Sequence, residues 1–231
     1  VCFSATADLA AGACLVPLGA LSLAQVRAAR EVPYAALPLL LGAHQLVESL
    51  VWRGADGDVT STTAHVAAVA YVVFALPVLP LLVPIAVWLL DRSRRRVVAP
   101  FVVLGAVVAA VMTRAIVGNG VRVDVHPHAL VYRVGLDRPE LWTGLYVVAV
   151  MGACVVSRYP GVKLFGLLNL VGLTVVALAY KEAFASLWCV YAALASLVVL
   201  VHMVQRRHHT EELVERGALS PSSSGRRAPR G

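Results

Sequence analysis

Apolar positions run in long blocks along this chain, separated by short stretches where arginine, aspartate, glycine and proline collect. Seven blocks stand out, at about residues 4–26, 33–52, 65–90, 97–117, 141–157, 162–180 and 185–205. Most approach the ~20 residues that carry a helix across a ~30 Å hydrocarbon layer. Helix is the expected form of each, because in lipid every backbone N–H and C=O has to be paired within its own segment. The third block is long enough to tilt or to kink at Pro77 and Pro80. Between the fourth and fifth blocks the period changes to two. Val121, Val123 and Val125 alternate with Arg122, Asp124 and His126, and Leu130, Tyr132 and Val134 alternate with Val131 and Arg133. Alternation on both sides of Pro127 predicts a β-hairpin within residues 118–140.

Composition agrees with a bilayer. Of the 231 residues 59% are apolar and 14% charged, with a mean hydropathy of +0.78, where soluble domains carry about 25% charged residues. The placement of the cations sets an orientation. The links after the first, third and fifth blocks and the C-terminal tail hold fourteen of the Lys and Arg residues, the opposite links five, and Arg114 lies within the fourth block. Positive residues collect on the cytoplasmic side. The expected fold is therefore an all-α integral membrane protein of seven transmembrane helices. Its N-terminus is outside and its C-terminus cytoplasmic, with an extracellular β-hairpin between helices four and five. Residues 1–205 form the transmembrane domain, and residues 206–231 a basic cytoplasmic tail that is disordered where Ser, Pro, Gly and Arg dominate. No internal repeat is evident, and the opening residues lack the basic region of a cleaved signal peptide. The net charge of +7 does not indicate nucleic-acid binding, because no basic face is interleaved with aromatics on a soluble domain.

The second block holds the costliest residues. A charge at mid-helix costs on the order of 2.5–3.5 kcal/mol on an insertion scale, yet His44, Gln45 and Glu48 lie within it. Counted from Pro33 at 1.5 Å per residue, His44 sits about 16 Å in and Glu48 about 22 Å in. His44, Glu48 and Trp52 share one helix face, which should look into the bundle. A His44–Glu48 hydrogen bond that only fixes packing is one reading, and acid/base chemistry is the other. Arg114, one turn from the outer end of its helix, either reaches the headgroups or pairs with Glu48 and keeps it ionised. Asp8 lies near a helix N-terminus, where a negative charge is favourable.

Other candidates are weaker. His126 and His128 flank Pro127, and two histidines two apart on a strand can point the same way and bind a metal. Cys2 and Cys189 both map to the outer side, where a disulfide would survive; Cys14 and Cys154 read as core filler. The polar residues map mostly to the outer half, and the inner half reads as apolar up to its basic links. This implies a polar cavity opening outward beneath the hairpin.

The start Cys2-Phe3-Ser4-Ala5-Thr6-Ala7-Asp8 resembles the MCFSA-type opening of an uncharacterised family of bacterial multi-pass membrane proteins. The stretches from His44 to Glu48 and on to Trp52, and from Phe184 to Ala193, resemble that family too. The resemblance covers roughly residues 1–203 and departs at position 1, where Val stands for Met. It implies a topology but no activity; the expected location is the plasma membrane.

The function expected first is a membrane-embedded enzyme acting on a lipid or isoprenoid-like substrate. Glu48 is its acid or base, His44 the partner and Arg114 the charge stabiliser. The alternative is a non-catalytic metal- or haem-binding sensory protein using His44, His65, His126 or His128. A transporter is disfavoured by the missing repeat and apolar inner half, and a retinal protein by Lys181 preceding the seventh block. The expected partners are the bilayer and a lipophilic small molecule; the sequence names no cofactor and no oligomeric state.

Overall fold

A computed structural model describes residues 4–126, 129–179, 191 and 195–215. Helix α1 spans Ala5–Ala24 and is capped by Ser4, whose Oγ accepts the Ala7 N–H. The second stretch, Ala29–Ala55, opens with a 3₁₀ turn, Ala29–Glu31, and continues as α2, Val32–Ala35, and α3, Leu37–Ala55. The break at Ala36 lies where Pro38 offers no N–H to the Tyr34 carbonyl. Helix α4, Ser61–Val73, is capped by Thr60 and runs through a π-helical segment, Phe74–Val78, into α5, Leu79–Leu90. After the turn Arg92–Arg94 comes α6, Arg95–Asn119. Strands β1, Arg122–His126, and β2, Ala129–Arg133, pair antiparallel before α7, Pro139–Val155, and α8, Pro160–Ala179. The last described helix, α9, is Leu197–Glu215.

The molecule is mostly helical with one small hairpin, and Ala5–Ala24, Ala29–Ala55, Ser61–Leu90 and Arg92–Asn119 are long and apolar enough to cross a membrane. Their exposed sides agree: on α6, Val103 and Val117 are 64% and 80% exposed, an apolar stripe that water would disfavour. Residues 185–190 and 192–194 of the seventh predicted block lie outside the described residues. In its described part, α9 runs past Gln205 to Glu215, so the opening residues of the tail are helical. Two local causes account for this: the segment is rich in the helix formers Gln, Arg, Glu and Leu, and Arg206 is anchored to Glu31 at 3.0 Å.

Glycines set the helix contacts. A Cβ on Gly19 would run into the backbone of Leu39, and one on Gly12 into Leu46 and the Gly42 carbonyl. α1 and α3 therefore pack backbone to backbone, as small-residue interfaces in membranes do. Gly105 of α6 lies in the same way on the Pro80 carbonyl of α5. That carbonyl is free because Pro84, four residues on, has no N–H. α3 also packs on α4, α7 on α5, α6 and α8, and α9 on α8 and α1.

The expected hairpin forms, and its register is set by the pairing of β1 with β2. Val123 faces Tyr132 and Val125 faces Leu130, and Leu130 is buried with Val51, Trp52, Ala67 and Ala68. Arg122, Asp124 and Arg133 take the other face, where Arg133 pairs with Asp124.

At the opposite, arginine-rich end, the Asp91 carboxylate accepts the Arg158 N–H at 2.7 Å and the Ser93 and Ser157 hydroxyls at 2.9 and 3.2 Å. It ties the α5–α6 turn to the α7–α8 turn. Burial disfavours its charge, but these hydrogen bonds outweigh burial and hold the carboxyl below its ordinary 3.8. Glu31, Ser157 and His202 are buried at this end as well. Glu31 and Asp91 lie beside the arginines of the links, and only packing brings His202 against Tyr34 and Tyr159.

Candidate functional site: a cavity beneath the hairpin

A cavity of about 960 Å³ lies between the hairpin, the π-helical segment, α6 and α7. Its depth is apolar, formed by Ala75 and Leu76, by Met112 of α6, Val147 of α7 and Leu173 of α8. Its polar lining comes from Asn119, Arg122, Tyr132, Arg133, Thr143 and Tyr146. Among the described residues, Arg122 and Arg133 are the charged side chains that line it.

The walls follow from local sequence. In the π-helical segment the Leu79 N–H bonds to the Phe74 carbonyl, and Pro80 has no N–H for the Ala75 carbonyl. That carbonyl is free to accept the Tyr146 hydroxyl, at 3.0 Å, which fixes α7 to the defect. Single-turn π bulges occur often at functional sites. On the hairpin side, Asn119 Nδ2 donates to the Gly135 carbonyl and closes the end of α6 onto the chain after β2.

The ionisable row of α3 sits behind this wall. His44 is 3% exposed, Gln45 and Glu48 are fully buried, and none of the three lines the cavity. The His44 ring stacks on Tyr71 at 4.0 Å, and Tyr71 stacks on Tyr132 at 4.4 Å. A column of three rings thus leads from the buried histidine to the cavity wall. Gln45 makes no side-chain hydrogen bond among the described residues, nor does His44 Nε2. Asp8, 1% exposed, lies against the Trp52 indole and is more deeply buried than a helix-terminal charge need be.

The structure does not assemble the proposed catalytic trio. Arg114 projects from an exposed face of α6 and makes no ion pair among the described residues, while Glu48 is buried on α3. No hydrogen bond joins His44 to Glu48 among the described residues. Of the metal candidates, His126 is exposed at the end of β1, and His128 lies outside the described residues, as do Cys2 and Cys189. Among the described residues no three His, Cys, Asp or Glu side chains converge. Sequence reasoning passed over Arg122, Tyr132, Arg133 and Tyr146 as site residues. The alternation of the hairpin shows which of its residues face the bundle, but only the packing of α7 on the π-helical segment brings Tyr146 to them.

The model of a family of unknown function (DUF6629) matches residues 1–214. No curated protein and no solved structure shows a significant match.

Proposed function

The chain belongs to DUF6629, a family of unknown function, so its reading comes from its own site, and we propose that it is a multi-pass plasma-membrane protein that holds a lipid- or isoprenoid-like molecule beneath its hairpin. In this reading seven helices span the bilayer with the N-terminus outside, and the hairpin roofs the cavity on the outer side. The cavity supports it. About 960 Å³ with an apolar depth and a few converging polar groups lies at the upper end of the range for small-molecule sites, roughly 300–1,000 Å³.

Native mass spectrometry of the full chain extracted in mild detergent tests it. The wild type should retain a lipid-class molecule, and Leu173→Trp, which fills the depth, should release it. A wild type that carries and takes up no lipid rejects the reading.

Acid/base chemistry by Glu48 with His44 is the second reading, and the ring column His44–Tyr71–Tyr132 favours it, because it links the buried pair to the cavity wall. It differs from simple binding in one outcome: the retained molecule would be chemically altered on incubation with wild type and unaltered with Glu48→Gln.

A further inference from the structure

The cavity's mouth has a charge arrangement that hairpin stability alone disfavours. Arg122 and Arg133 stand directly opposite each other across the two strands, and like charges in that position repel. Asp124 pairs with Arg133, which leaves the Arg122 charge without a described counter-ion in the lining. Arg122 and Arg133 are the charged residues among the described lining of the cavity, and no described Asp or Glu lines it. Below them the lining turns apolar at Met112 and Leu173. A guanidinium pair above an apolar slot matches a molecule with an anionic oxygen-rich head and a hydrocarbon body, since arginine forms paired, charge-assisted hydrogen bonds with phosphate and carboxylate.

From this juxtaposition we propose that the ligand is an anionic membrane lipid, its phosphate head between Arg122 and Arg133 and its chain directed toward Met112 and Leu173. This rests on the cavity reading above and adds the headgroup class to it. Arg122 is the main headgroup ligand, because Arg133 is shared with Asp124. An anion bridging the two arginines relieves their cross-strand repulsion, so binding also steadies the open end of the hairpin.

The test uses full-length protein in nanodiscs or mild detergent, titrated with phosphatidylglycerol and, separately, phosphatidylcholine, with binding read by native mass spectrometry. Wild type should favour phosphatidylglycerol. Arg122→Gln, which leaves the Asp124–Arg133 pair intact on an exposed strand, should weaken phosphatidylglycerol binding about tenfold, the scale of one lost charged hydrogen bond, and leave phosphatidylcholine binding unchanged. Arg114→Gln, on an exposed face away from the cavity, should change neither. Equal binding of the two lipids by wild type, with both lost in Leu173→Trp, overturns the anionic assignment and keeps the cavity. Binding of both lipids unchanged in Leu173→Trp overturns the cavity reading itself. Displacement of phosphatidylglycerol by millimolar inorganic phosphate would identify a free anion as the occupant and overturn the lipid assignment.

Discussion

Asp91 accepts hydrogen bonds from Ser93 of its own turn and from Ser157 and Arg158 of the distant α7–α8 turn, and its depressed pKa makes it a pH-dependent brace. A carboxyl whose folded pKa lies below its unfolded one contributes stability above the unfolded value, here near 3.8, and loses it as pH falls through the folded value. Thermal melts in detergent should therefore show a drop in midpoint as pH is lowered below about 4, and Asp91→Ala should remove that part of the drop. A dependence unchanged in Asp91→Ala would assign it elsewhere. Tyr146 offers a sharper residue-level case. Tyr146→Phe leaves the Ala75 carbonyl without its described side-chain donor, at a cost of about 1–3 kcal/mol. The melting temperature should fall, and a variant as stable as wild type would mean that the π-helical segment does not need the contact. Neither role was legible beforehand. A tyrosine in an apolar block reads as filler until the chain defect it caps is visible, and Pro77 and Pro80 marked only the location of that defect.

At the scale of elements, glycines separate helix contacts that need a bare backbone from those that do not. Replacing a mid-helix glycine by alanine gains up to about 1 kcal/mol from propensity, whereas a clash in a packed core costs about 1–3 kcal/mol. Among the described residues nothing lies within 4 Å of a Cβ placed on Gly144 in α7, while Gly19 faces the backbone of Leu39, which cannot rotate away. Gly144→Ala should raise the melting temperature and Gly19→Ala should lower it. The same sign for both would contradict the described α1–α3 contact. The hairpin belongs to this scale too. Its period-two pattern was sufficient for two strands and their alternating faces, because alternation follows from strand geometry alone, whereas the register came from the folded pairing. The break at Ala36 and the length of α9 were not readable with the same certainty. Both depend on single proline and ion-pair contacts rather than on a repeating pattern.

For the whole molecule, orientation is the decisive expectation. A C-terminal fluorescent fusion should fold and fluoresce in the cytoplasm, and His126→Cys at the hairpin end should react with a membrane-impermeant maleimide applied from outside. Labelling only after permeabilisation would invert the topology and place the cavity on the cytoplasmic side. Hydropathy and the arginine distribution carry this expectation from sequence, since lipid solvation and the positive-inside bias act on segments, whatever their neighbours.

What the sequence by itself determined was periodicity: helices apolar enough for a bilayer, an alternating hairpin, and a costly polar row at His44, Gln45 and Glu48. What only the tertiary structure decided was which polar groups meet. Depth along a helix places Arg114 and Glu48 at similar heights, but not on facing sides. Rotation about the helix axis and the choice of neighbours come from close contacts such as Gly19 on Leu39 and Gly105 on Pro80. Those contacts leave Arg114 on an exposed face and bury Glu48. They also bring Arg122, Arg133, Tyr132 and Tyr146 around one cavity, a grouping that arises from three-dimensional packing and has no period in the chain.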